Sequence, residues 1–169
     1  MKKMIGDIYL FYSERKSFFS NYMSGELGGV NHSAIELGDL KIGEKIYDKF
    51  LIEARFDLNM VAITTLSMKK DRLYDVLRLK NVYRARMDYE KATEWVLSQF
   101  GKKYDLLQVL GIKLRRPFGR VNRYICSELV LEYYKAGGIF LCGWKDSNLV
   151  TPVDFQQDNK LEIVQVAKE

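Results

Sequence analysis

Alternation of apolar and polar positions dominates the first half of the chain, and helical spacing takes over in the second. After a turn-like Gly6-Asp7, the β-branched and aromatic run Ile8-Tyr9-Leu10-Phe11-Tyr12 predicts a first strand over residues 6–12. Residues 14–24 predict a helix, which Gly25, Gly28 and Gly29 end. In Asn31-His32-Ser33-Ala34-Ile35-Glu36-Leu37, Ile35 and Leu37 alternate with Ala34 and Glu36, which predicts a half-buried strand beginning at the histidine. Gly38-Asp39 and Gly43-Glu44 punctuate a turn. From Ile46 to Phe56 a further strand puts Asp48, Phe50, Ile52, Ala54 and Phe56 on one face and Tyr47, Lys49, Leu51, Glu53 and Arg55 on the other. Another strand is expected near Leu73–Leu79.

Beyond it the period changes. Asp88 can cap a helix running through Gln99, with Glu90 in its first turn, Ala92, Trp95, Val96 and Phe100 as an apolar stripe, and Gly101 as its end. Leu106–Leu110 suggests a second helical segment. Residues 127–136 predict a third helix, stopped by Gly137-Gly138, with Cys126 at its start.

Composition narrows the class. At 169 residues and 47% hydrophobic content, the chain suits one domain over residues 1–169 with a sizeable core. Two lysines open it, but Asp7 and the following Ser13-Glu14-Arg15-Lys16 do not make a signal peptide, so a cytoplasmic location is expected, with release by a phage or lysis route as the alternative. No apolar run approaches the roughly 20 residues needed to span a bilayer. Two cysteines and one histidine are too few for a disulfide scaffold or a zinc site, so neither metal nor cofactor is expected. Lys113, Arg115, Arg116, Arg120 and Arg123 concentrate much of the +5 net charge in one segment. That segment reads as a solvated basic loop or as a site for an anionic partner, and it carries no nucleic-acid-binding motif.

The chemistry rests on few residues. A thiol at a helix N-terminus is drawn towards thiolate by the unpaired amides there, which would prepare Cys126 as a nucleophile; without that position a free cysteine reads as a small buried hydrophobe, as Cys142 does. His32 is the sole imidazole, so a cysteine–histidine mechanism must use it. For a carboxylate to orient that ring, Glu36 lies about 13 Å along the same strand, which is too far. Glu53 is better placed: if the turn at 38–45 joins antiparallel strands with His32 facing Glu53, then Ala34 faces Leu51 and Glu36 faces Lys49.

Gly6-Asp7-Ile8, Asn31-His32-Ser33-Ala34-Ile35, Ile52-Glu53-Ala54, Gly101-Lys102-Lys103-Tyr104-Asp105 and Tyr124-Ile125-Cys126-Ser127-Glu128-Leu129-Val130, in this order, resemble the permuted papain-like amidases of the YiiX-like branch of the NlpC superfamily. The likeness runs from Gly6 to about Asp154, with histidine preceding cysteine as in the permuted branch. It implies a circularly permuted papain-like (NlpC-type) α+β fold, an antiparallel sheet packed against helices with the nucleophile at a helix N-terminus. It further implies Cys126 as nucleophile, His32 as base, Glu53 as its orienter and Tyr104 as a residue that positions the substrate carbonyl. The implied activity is hydrolysis of an amide, in a peptide or a cell-wall (peptidoglycan) stem peptide. Two alternatives stay open: a lipid or ester acyltransferase or thioesterase on the same fold, with Phe18, Phe19, Tyr22 and Met23 lining an acyl groove, and a non-catalytic module holding an anionic partner through residues 113–123.

Overall fold

Ile8, Leu10 and Phe11 expose no surface, because their strand is bordered on both edges and covered on both faces. In this computed structural model, which describes residues 5–13, 29–116 and 118–167, β1 (Ile8–Tyr12) pairs antiparallel with β2 (Val30–Ile42) on one side and β5 (Tyr74–Leu79) on the other. Adding β3 (Lys45–Arg55), β4 (Met60–Thr65), β6 (Lys103–Tyr104), β7 (Arg123–Tyr124) and β8 (Leu161–Gln165) completes a sheet in the order β7-β6-β4-β3-β2-β1-β5-β8. The helices are α1 (Asn81–Arg84), α2 (Tyr89–Leu97), α3 (Leu106–Leu114) and α4 (Cys126–Ala136), and a 3-10 turn, Leu66–Lys69, follows β4. The fold is thus α+β. The predicted all-antiparallel sheet needs one correction: β6 and β7 run parallel, since the chain leaves Tyr104, passes through α3 and returns alongside.

Period-two alternation sorts the sheet into two cores. Ile8, Leu10, Ile35, Ile52 and Ala54 face Leu129, Val130, Tyr133 and Tyr134 of α4, while Tyr9, Phe11, Ala34, Leu51 and Val76 form a smaller cluster. The Tyr134 hydroxyl donates to the Gly6 carbonyl, tying α4 to the start of β1. Gly6 has a φ of +99°, and a Cβ there would lie 2.6 Å from the Tyr133 hydroxyl, so only glycine fits this crossing.

The β2–β3 register differs from the expected one. Ile35 pairs with Ile52 and Glu36 with Leu51, two places from the predicted pairing of His32 with Glu53. A shift of two keeps every side chain on its face, so Lys49 still reaches Glu36 diagonally, at 2.8 and 2.9 Å. Gly38 does not end β2; its φ of +137° accompanies an irregularity, and the strand runs on to a turn at 43–44. Asp88 caps α2 as expected by accepting from the Lys91 amide, but Phe100 is exposed and not part of the buried stripe. The predicted helix over 14–24, with Phe18, Phe19, Tyr22 and Met23, lies outside the described residues. Among the described residues no helix is long and apolar enough to cross a membrane.

Candidate active site

Cys126 is the first residue of α4 and is buried. Ile125, extended at φ −91° and ψ 168°, brings the chain in from β7 and leaves the first amides of the helix without helical partners. Both the backbone and the side chain of Ser33 lie close to the Cys126 sulfur.

His32 lies near the start of β2, beyond the end of the β2–β3 ladder at Ile35, with its ring stacked on Phe11 at 5.9 Å between centroids. Its Nε2 bonds Glu53 Oε2, and Cys126 lies close to the same ring, which leaves Nδ1 for the thiol. The sequence-predicted trio therefore meets. Burial opposes protonation of His32, but its bonds to Cys126 and Glu53 outweigh burial and raise its pKa. Burial likewise opposes thiolate formation, but His32 and, to a smaller extent, Ser33 outweigh it, so the pKa of the Cys126 thiol is lowered. The two shifts run in opposite directions, each towards the form that the other group's charge favours.

Glu53 is fully buried and shares its carboxylate among three donors. Besides His32 it accepts from the Thr64 hydroxyl at 2.5 Å and pairs with Lys69 Nζ at 2.8 Å, both on Oε1. Burial would raise this carboxyl, but His32 and Lys69 hold it far below the usual carboxylate range. Thr64 and Lys69 were not anticipated from sequence. The β-branched run Val61, Ile63, Thr64 and Thr65 signals β4, and its register with β3 puts Thr64 opposite Leu51, diagonal to Glu53. Lys69 carries no such signal, because the path of the 3-10 turn brings it there.

Tyr104 ends β6, buried, with its ring edge on Phe56 at 5.8 Å. Burial and the negative charges of Cys126 and Asp105 hold its phenol well above the usual value, so it remains an O–H donor beside the sulfur. Tyr124 turns elsewhere: its hydroxyl donates to Gln99 Oε1 at 2.9 Å and its ring meets Trp95 edge-on. Glu128, in the first turn of α4, accepts from the Ile125 amide, and burial with the nearby Asp105 and Glu132 charges pushes its carboxyl up to about 7. Cys142 is buried, and burial together with Asp158 and Asp154 pushes its thiol up to about 12. The basic residues Lys113, Arg115, Arg116 and Arg120 are exposed. Among the described residues no group of three or more His, Cys, Asp or Glu side chains could hold a metal ion.

No curated protein matches the chain. Residues 4–167 match the family described as permuted papain-like amidase enzymes, YaeF/YiiX, C92, and the chain, with its histidine strand ahead of its cysteine helix, belongs to that family.

Proposed function

We propose that this member of the family is a cysteine hydrolase that cleaves an amide bond, in a short peptide or a cell-wall stem peptide, through Cys126, His32 and Glu53. The observation that carries the reading is the His32 ring, bonded to Glu53 and close to Cys126 at a helix N-terminus. In the first half-reaction the Cys126 thiolate attacks the carbonyl carbon, forming an S–C bond while the C=O electron pair moves onto oxygen. The first amides of α4 and the Tyr104 hydroxyl are available to stabilise that oxyanion. Imidazolium His32 gives its Nδ1 proton to the leaving amine as the C–N bond breaks, and a thioester remains. Water then attacks the thioester, His32 takes its proton, and the acid leaves with the thiolate restored. Glu53 stays ionised throughout and keeps Nδ1 turned to the sulfur.

The test is to incubate the folded protein with short peptides and stem peptides and to search for an acyl group on Cys126 by mass spectrometry. Acylation at Cys126 that vanishes in Cys126→Ser supports the reading. Hydrolysis that persists in Cys126→Ser at the wild-type rate would overturn it.

A further inference from the structure

We propose that the segment from Leu106 to Arg123 is a membrane-docking surface that seats the protein on a bilayer bearing anionic headgroups. The helix α3, Leu106–Leu114, is apolar around nearly its whole circumference. Such a helix needs cover on every side, yet the protein covers one side only. Gln108, Val109 and Gly111 are buried, whereas Leu106, Leu107, Leu110 and Leu114 are 39–52% exposed. Leu107, Leu110 and Leu114 follow the i, i+3, i+7 spacing of one stripe. Phe118 and Val121 in the following loop are 40% and 90% exposed and extend the apolar area.

The cationic residues border this patch. At Arg115 the chain enters the left-handed region, φ +53°, and then runs back along the helix it has just left. The Arg116 amide bonds the Gly111 carbonyl at 2.9 Å, the Phe118 amide bonds Gln108 Oε1 at 3.2 Å, and the Arg120 amide bonds Asp105 Oδ2 at 2.6 Å. Those partners step backwards along α3. The loop is thereby laid along the covered Gln108 and Gly111 side of α3, which flanks the leucine stripe, with Arg115, Arg116 and Arg120 exposed on it. Between Leu106 and Arg123 the sequence holds five Lys or Arg and no Asp or Glu.

Apolar side chains ringed by cations match the acyl boundary and the phosphate layer of an anionic leaflet together. A nucleic acid would neutralise the arginines but leave the leucines wet. A second copy across a twofold axis would cover the leucines but bring two cationic rims together. Both ends of the segment return to the paired β6 and β7, next to Tyr104 and three residues from Cys126, so docking brings the bilayer to the candidate site. The docking itself does not depend on catalysis.

The experiment is co-sedimentation of the full chain with phosphatidylcholine vesicles, with and without about one third phosphatidylglycerol. Wild type is expected to bind the anionic vesicles, to bind neutral ones far more weakly, and to be released by salt. Arg115→Ala/Arg116→Ala/Arg120→Ala is expected to weaken binding on the order of 100-fold, and Leu110→Gln/Leu114→Gln by about tenfold or more, with melting unchanged in both. The wild-type comparison of two vesicle types and two salt concentrations stands even if a variant fails to fold. Absence of vesicle binding, equal binding to neutral and anionic vesicles, or full binding in the folded leucine variant overturns the proposal. So does a wild-type dimer that the leucine variant dissolves without any vesicle binding, which assigns the face to a second copy.

Discussion

Lys69 reaches Glu53 through the oxygen that His32 leaves free, so one buried carboxylate serves a lysine and an imidazole at once. The two demands compete. A carboxylate shared with a standing cation attracts a second positive charge less strongly than one left to itself. Lys69 therefore restrains how far Glu53 can raise the pKa of His32, while keeping Glu53 ionised. Lys69→Met is expected to move the upper limb of the Cys126 alkylation profile to higher pH by about half to one unit. It should also lower stability by about 1–3 kcal/mol, because a buried ion pair loses one partner. The check is the rate of iodoacetamide modification against pH beside a denaturant melt. A melt that shifts while the profile stays fixed would make Lys69 a structural residue only.

The two thiols should separate by pH. The Cys126 thiol is lowered, and that of Cys142 stands at about 12. Alkylation of Cys126 should remain appreciable well below the ordinary thiol pKa of about 8.5, with Cys142 unreactive in the folded protein. His32→Ala is expected to return Cys126 to slow, ordinary reactivity, and Glu53→Gln to lie between. Peptide mapping of the labelled cysteine decides it, and equal labelling of both in the folded wild type would sink the catalytic reading.

Glu128 should cost stability at alkaline pH. Its carboxyl rises from 4.5 to about 7, so the folded state holds the proton more tightly than the unfolded state between those values. Stability from this group is full below about 4.5 and declines as pH rises through about 7. Glu128→Gln retains an acceptor for the Ile125 amide and removes the ionisation. It is expected to be near neutral at pH about 4 and to stabilise by about 2–3 kcal/mol at pH about 8, read from melts at the two pH values.

The His32–Glu53 pair contributes with two opposite signs. The depressed carboxyl of Glu53 adds stability that is present above the ordinary carboxylate pKa and lost as pH falls towards its folded value. The raised imidazole of His32 adds stability that is present below 6.5 and lost as pH rises through its folded value. Glu53→Gln leaves buried Lys69 without its carboxylate and is expected to cost about 3–5 kcal/mol near neutral pH. A cost below about 1 kcal/mol would mean that Lys69 finds water in its place.

Gly6→Ala tests the crossing of β1 and α4. The substitution puts a Cβ against the Tyr133 hydroxyl at a positive φ, and a loss of about 2–4 kcal/mol is expected. An unchanged melting temperature would show that Tyr133 can move aside.

Local pattern made much of this fold legible. Ile8–Tyr12, Asp88 as a cap and Cys126 at the head of its helix all follow from periodicity and capping residues. The resemblance to the permuted family also marked His32, Glu53 and Cys126 as a trio. What escaped depends on non-local geometry. Gly38 and Asp39 resemble a turn, yet they sit inside β2 because the neighbouring strand continues past them. The two-place error in register left the contacts intact because side-chain direction repeats every two residues. Lys69 has no periodic neighbour to announce it, and α3 reads from its leucines as a core helix although half of it meets solvent.

The permuted chain order also governs how the site is assembled. As synthesis proceeds, β1 through β4 emerge with His32 and Glu53 already among them, whereas both cysteines lie beyond residue 125. The segment that carries those strands thus contains no sulfhydryl to oxidise or to capture a passing electrophile. Its imidazole and carboxylate wait for a helix made after them, and β1 waits for β5 to cover its second edge. Reactivity arrives only when most of the surrounding core exists to contain it.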